Sequence, residues 1–432
     1  MYKKQRKTYF KLHVGWENIK SNIINVRDTM EPLRAQTCES NMFQEQLEQP
    51  SYPPRKSAFL QTLCYLYDYC RCGVYVRIQN HQVVMFTPFV NPEFQNNWAS
   101  QLQFMVDGEL CTMDAYFDAK HETHGVRENM IMPHQWWSNA YILCNVMPPD
   151  IWGDFMLKEY HGYFVQLAPH VADVEFFLNK RDFPQIRKDK TAPYEFLYQT
   201  KNTTVCVKQH LPIMSGYVTN EYADIAFPTP ADLKIACNPP VVRLDKKPIA
   251  LFRGSNTNVK RLELARMSQL WEKDELKRGL MDVKLTNWSA RDKVTTNGII
   301  SLSTIKDMDV GKHHYMPEQQ QLEYKYLFYI DGHSAANRLS FLLSSGCVIL
   351  KMESSTPVSH LWFDTLLEPY VHYVPVTLES VYEQLLWCHA NEEACQQIVH
   401  NARVFWETHL STQGLIKYGS CVLNEISAYI EY

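Results

Sequence analysis

No run in this 432-residue chain approaches the ~20 apolar residues that a bilayer-crossing helix needs, so no membrane span is expected. The opening MYKKQRKTYFKLHVGW is basic. It lacks the apolar core of about 7–15 residues that a secretory signal carries, and a cytoplasmic protein is the expectation. No CxxC pair occurs; the 12 cysteines are scattered singly, apart from Cys70 and Cys72. That pattern excludes a zinc ribbon and a small disulfide scaffold and fits reduced thiols. The sequons at Asn202 and Asn287 are then not expected to be glycosylated. An excess of positive charge is also missing, since 43 Lys and Arg stand against 47 Asp and Glu, a net charge of −4. Sequence-independent nucleic-acid binding is therefore not expected. GxxxxGK[ST], GxGxxG and GxSxG are all lacking, which leaves NTPase, dehydrogenase and α/β-hydrolase readings without support.

What the chain does have is apolar mass: 45% hydrophobic residues against 21% charged, with 25 Tyr, 20 Phe and 10 Trp. That is a globular composition, and the length suits two domains. Residues 1–55 are polar and irregular and read as an N-terminal extension. GVYVRIQNHQVVMFTPF reads as a hairpin, with runs Val74–Ile78 and Val83–Thr87. Val174–Leu178 reads as a short buried strand, which leaves Lys180, Arg181 and Asp182 at its carboxyl end. CNPPVVRLDKKP, 237–248, has no clear period and reads as a linker. The expected division is thus an extension to 55, an N-terminal α/β domain over 56–240 and a C-terminal one over 241–432.

The second half is α/β in pattern. IALF ends at Arg253-Gly254-Ser255-Asn256, and a helix capped by Asn258 follows. YKYLFYI is a strand that breaks at Asp331-Gly332-His333-Ser334-Ala335-Ala336-Asn337-Arg338. Ser334 is the expected N-cap of the next helix, Gly346 its stop, and CVILK the next strand. VHYVPV and two amphipathic helices, the second capped by Asn391, complete a doubly wound pattern.

In such sheets ligands bind beyond the carboxyl ends of the strands. Gly254 and Gly332 allow close backbone approach, and Arg253 and Arg338 can each fork donors onto an oxyanion. With Ser255, Asp331, Ser334 and Ala335 these form the candidate anion site, the helix start adding its dipole. Either arginine could instead serve a salt bridge to a carboxylate such as Asp331 or Glu353. His313-His314 reads as a solvated pair rather than a metal site, no carboxylate pattern being seen around it. Trp136 and Trp137 read as a tandem pair on a helix, able to stack on a sugar or fill a core.

FRGS before a helix, YKYLFYIDGHSAANRLSFLLSSGCVILK, LLEPYVHYVPV and VEFFLNKRDFPQ stand in the order found in glycosyltransferase family 90. That is the CAP10-like group, which includes Rumi-type protein O-glucosyltransferases and fungal capsule xylosyltransferases. The resemblance runs from about Arg127 to Tyr418. RENMIMPHQWWSNAYILCNV and WGDFMLKEY resemble a cytoplasmic branch of protists and large DNA viruses. What the resemblance implies is a GT-B architecture, two Rossmann-like domains across a cleft, and inverting, metal-independent transfer from a UDP-sugar without a further cofactor. It implies that Arg253 and Arg338 hold the diphosphate. Glucose and xylose are the first candidate sugars, and a protein or glycan hydroxyl is the acceptor. The place is the cytoplasm, a host's cytoplasm or a virion if the chain is viral. Rumi-type members carry an aspartate base shortly before a proline, and RENMIMP has none. Glu128 is the first choice of base, then Asp182, then Asp154. Two other readings stand beside the enzyme: a non-catalytic binding or structural protein on the same scaffold, and a metal-dependent transferase of the DxD kind, which is not expected.

Overall fold

A computed structural model describes residues 73–88, 157–188, 210–289, 308–358 and 360–429, Thr62 and Leu66, and six short strands in between. The chain divides into two compact units, residues 1–230 together with 416–432, and residues 231–415. The first 55 residues, Glu128 and Asp154 lie outside the described residues.

The first unit begins with the hairpin expected from the sequence, β1 (Val74–Gln79) and β2 (Gln82–Pro88), paired antiparallel. Its tip is Asn80 and His81, both at positive φ (50° and 63°), as tight hairpin turns require. Two small hairpins follow, β3 (Gln103–Val106) with β4 (Glu109–Thr112), and β5 (Gln135–Trp137) with β6 (Ala140–Ile142). Trp136 and Trp137 are therefore on a strand, not a helix. Each pairs across to β6, and the 3.6-residue period assumed for them does not apply.

After α1 (Leu157–Leu167) comes β7 (Val174–Leu178), buried along its whole length. It pairs antiparallel with β1 and parallel with β8 (Ile213–Ser215). The short β9 (Tyr217–Val218) and then β10 (Ile225–Ala226) follow, β10 running parallel to β8. The sheet, in order β10-β8-β7-β1-β2, is mixed. The hairpin makes it so, because a two-residue turn can only return the chain antiparallel. Phe164 of α1 covers it, 5.3 Å from Phe176 and 5.9 Å from Phe227 between ring centroids. Tyr418 in the C-terminal stretch donates to the Ala226 carbonyl at 2.8 Å.

The second unit opens with α2 (Pro230–Cys237), so the helix reaches the start of the expected linker and the strand β11 (Lys247–Ser255) takes up its end. Then come α3 (Val259–Trp271), β12 (Met281–Asn287), the hairpin β13 (Lys293–Thr295) and β14 (Gly298–Ile300), the one-turn α4 (Glu318–Gln321) and β15 (Tyr324–Tyr329). The chain continues through α5 (Leu339–Ser344), β16 (Val348–Met352), the two-residue β17 (His360–Leu361) and β18 (Val374–Val376). It ends in α6 (Val381–Ala390), α7 (Glu392–Phe405) and α8 (Thr412–Tyr429).

The sheet order is β12-β11-β15-β16-β18, all parallel. Strands buried on both faces need near-continuous apolar runs, and Ala250–Phe252, Tyr326–Tyr329 and Val348–Leu350 supply them. Leu262 and Leu264 of α3, Leu385 of α6 and Ile398 of α7 close the core. Counted from its first strand this is a 2-1-3-4-5 doubly wound sheet, whose chain reverses direction between β11 and β15.

Two caps differ from expectation. Asn391 closes the helix before it: its side-chain amide donates to the Trp387 carbonyl at 2.8 Å, and it makes no side-chain cap to α7. Ser334 is not an N-cap, because α5 begins five residues later, with Arg338 at the N-cap position. The intervening amides are bonded elsewhere, Ala335 N–H to the Val358 carbonyl at 2.7 Å and Ala336 N–H to the Tyr329 hydroxyl at 3.0 Å. Gly346 ends α5 as expected, at φ 67°.

Candidate functional site

The reversal between β11 and β15 is the place where an open parallel sheet leaves a crevice beyond its strand ends. Both polar segments singled out in the sequence arrive there, Arg253–Ser255 on β11 and Asp331–Arg338 after β15. Asn258 joins them. Its side-chain oxygen caps α3 by accepting from Lys260 N–H at 2.9 Å, and its amide donates to the Gly332 carbonyl at 3.2 Å. The loop after β16 joins the same group through Ser354, whose hydroxyl donates to Asp331 at 2.5 Å. Burial raises the pKa of the Asp331 carboxyl, and hydrogen bonds from Ser354 and Tyr329 act against that. Ser334 and Ala335 are buried beside it.

The three arginines here differ in what they hold. Arg253 is taken by the neighbouring strand: it donates to the Asp282 carboxylate at 2.5 Å and to the Asp282 carbonyl at 2.8 Å. The salt-bridge alternative thus has a partner, Asp282, that was not among those weighed. Arg338 donates to the Gln321 side-chain oxygen at 2.7 Å and to the Arg253 carbonyl at 3.3 Å. Its guanidinium lies 5.7 Å from the centre of the buried Phe252 ring.

Arg261 was missed from the sequence. It lies in the first turn of α3 and reaches back across the crevice. One nitrogen donates to Thr257 Oγ1 at 2.9 Å and to the Ser255 carbonyl at 3.2 Å; another donates to the Ile330 carbonyl at 2.8 Å. It too lies over Phe252, at 5.3 Å. Two arginine donors falling eight residues apart in FRGSNTNVKR, Arg253 and Arg261 with Thr257 between them, were the available signal, hidden because a lone helical arginine reads as a solvated face.

Arg261 and Arg338 are only partly buried, and every partner named for them is neutral. Among the described residues neither has a carboxylate within ion-pair distance. Burial first, and the charge of Arg338 second, push Arg261 down to about 10. Burial likewise lowers Arg338. Both still carry a full charge at neutral pH. Asp331 acts on Arg261 and Glu318 on Arg338 from beyond ion-pair distance. Two cations thus stand side by side, drawn partly out of water with no carboxylate in direct contact, an arrangement able to accept an anion. Gly254 is needed there for space, since a Cβ would stand 2.8 Å from the Phe252 ring. At Gly332 a Cβ would stand 3.2 Å from Thr257 Oγ1.

Asp182 is exposed in the first unit, after β7. Behind it Asn179 fixes the turn, accepting from Arg181 N–H at 2.7 Å and donating to the Phe183 carbonyl at 2.7 Å. His313 and His314 do face a carboxylate, contrary to expectation: Asp309 lies against both rings. Asp309 also closes a DxD triplet, Asp307-Met308-Asp309, that sequence reasoning passed over; Asp307 is outside the described residues.

Residues 235–432 match the model of glycosyl transferase family 90, and the arginine crevice described above falls within them. That segment is a family 90 glycosyltransferase domain. The chain is 29% identical over 417 residues to "Uncharacterized protein 035R" of Invertebrate iridescent virus 3, covering 85% of this chain and 36% of that protein. It is 25% identical over 298 residues to protein O-glucosyltransferase 1 of Homo sapiens, covering 62% of this chain and 66% of that one. The chain thus spans about a third of the length of its viral relative. Among solved structures, TarM aligns over 43% of this chain and 36% of its own, with a TM-score of 0.29 and 10% identity, too low for any argument about fold. Among the described residues no helix is long and apolar enough to cross a membrane.

Proposed function

We propose that this family 90 domain transfers a sugar, with glucose and xylose the first candidates, from a UDP-sugar to a hydroxyl of a protein or glycan. The observation that carries this reading is the pair Arg261 and Arg338, two partly buried cations without an ion-paired carboxylate among the described residues, at the switch point of a parallel sheet. In transfer with inversion the acceptor oxygen attacks the anomeric carbon as its bond to the diphosphate breaks. The charge that develops on the leaving UDP needs fixed donors, and the guanidiniums of Arg261 and Arg338 are set in place to receive it without a metal. Arg253 acts behind them, holding β11 to β12 through Asp282.

The acceptor hydroxyl must lose a proton, and Glu128, Asp182 and Asp154 are the carboxylates proposed for it, in that order. A GT-B arrangement, with residues 56–240 on the acceptor side and 241–432 on the donor side, fits this division of labour. Similarity to a viral protein supports action in a host cytoplasm or a virion. The absence of an aspartate from RENMIMP favours the second reading, a binding protein on a transferase scaffold.

The two readings separate in a UDP-release assay with UDP-glucose, UDP-xylose and other UDP-sugars offered singly. The enzyme reading expects release from one of them, abolished in Arg261→Ala and Arg338→Ala and reduced in Glu128→Ala. UDP binding without release from any donor would favour the scaffold. Release unchanged in Glu128→Ala would move the base to Asp182 or Asp154.

A further inference from the structure

We propose that Asp309, His313 and His314 form a binding site for a first-row transition-metal dication such as zinc, separate from the arginine pair and independent of the nucleotide reading. The segment that carries them is anchored on the edge of the parallel sheet. Val310 bridges to Leu285 of β12, and Gly311 N–H donates to the Leu285 carbonyl at 3.1 Å. A single 3-10 turn follows, Lys312–His314. In such a turn neighbouring side chains diverge by about a third of a circle, so adjacent histidines do not ordinarily share a target. Here they do, because the His313 ring folds back over Gly311. A Cβ on Gly311 would stand 2.7 Å from its Nδ1, so the missing side chain is what admits the ring. The two imidazole centres come to 4.0 Å.

Three ligand atoms result, all within 4.8 Å of one another. His313 Nε2 is 2.8 Å from one Asp309 oxygen and His314 Nε2 is 2.9 Å from the other. Ligands bound to zinc at ~2.0–2.2 Å lie roughly 3 to 3.5 Å apart, so small side-chain rotations would close this set on an ion. Asp309 thus faces both rings, hydrogen-bonded to His313, with His314 Nε2 buried against its other oxygen. Asp309 and His313 are exposed, which leaves an entry path and room for water on the remaining positions. Two imidazoles with one carboxylate prefer zinc, cobalt or nickel over magnesium or calcium, which take oxygen ligands. The bound ion would clamp the 309–314 turn against β12.

The test uses the full chain stripped of metal, titrated calorimetrically with zinc alone and spectroscopically with cobalt alone. The cobalt spectrum separates this site from cysteine binding, since thiolate ligation adds an intense near-ultraviolet charge-transfer band. The expected result is one equivalent bound with a nitrogen- and oxygen-type cobalt spectrum. Affinity should fall roughly tenfold or more in Asp309→Ala and in His313→Ala and stay unchanged in His400→Ala, an exposed histidine of α7. Circular dichroism melts without metal show that the variants fold, and both mutated side chains of the first two are exposed. Three results would overturn the site: no binding below millimolar zinc, only a thiolate-type spectrum, or wild-type affinity in folded Asp309→Ala and His313→Ala.

Discussion

At the carboxyl ends of the all-parallel sheet, Arg261 and Arg338 sit partly buried among carbonyls, a hydroxyl and an amide, and among the described residues neither is ion-paired to a carboxylate. At the corresponding end of the mixed sheet, Asp224 is fully buried and fully engaged. Its two oxygens accept from Gln185 N–H at 2.6 Å, Ile186 N–H at 2.8 Å and Ser215 Oγ at 2.6 Å. One region has cations without a carboxylate in direct contact; the other has an anion met by neutral donors drawn from the chain itself. On the proposed reading, the difference separates an anion site from a network that fixes a loop. A buried charge whose hydrogen bonds are complete serves the fold, whereas cations held in place by neutral groups retain their field for a ligand.

Four experiments press on that contrast. The largest effect is expected from Asp224→Ala, which strands three donors in the interior and should cost about 3 kcal/mol or more of unfolding free energy in urea. Nucleotide affinity should not change. Next comes the pH dependence of the same group, whose carboxyl burial pushes up to about 6 against the hydrogen bonds of Ser215, Ile186 and Gln185. Between about pH 4 and 6 the folded state then holds a proton that the unfolded chain has released. Unfolding free energy therefore falls as pH rises through that window, by up to ~3 kcal/mol, and is regained on acidification. Asp224→Ala should flatten that slope; an equal slope in the variant would assign it to another group.

Arg261→Ala and Arg338→Ala should behave oppositely. Each loses about 1.5–3 kcal/mol of UDP affinity, more than tenfold, while stability without ligand changes less than in Asp224→Ala. A large loss of stability with full affinity would make them structural, like Asp224. The smallest effect is expected from Gly254→Ala. Its Cβ would press on the Phe252 ring at 2.8 Å, beneath both guanidiniums, and should cost a few-fold in UDP affinity with a lowered melting temperature.

Much of the scaffold was legible because it rests on short-range rules. The Asn80-His81 turn, the buried run Val174–Leu178, the Asn258 cap and the Gly346 stop were all placed by local chemistry. Long-range partners were not legible. Asp282 claims Arg253 only because β12 lies beside β11, and Arg261 joins the site only because its side chain spans the ends of β11 and β15. The Ser334 cap failed for the same reason, its neighbours' amides going to Val358 and Tyr329. Asp309 met two adjacent histidines through a turn that Gly311 makes possible.

The central claim is that Arg261 and Arg338 together receive the diphosphate of a UDP-sugar. A calorimetric titration of the full chain with UDP, repeated on Arg261→Ala, Arg338→Ala and the double variant, tests it most directly. The account predicts saturable binding in the wild type, more than tenfold weaker binding in each single variant and none measurable in the double. Wild-type affinity in the double variant, or no heat from the wild type at millimolar UDP, would contradict it.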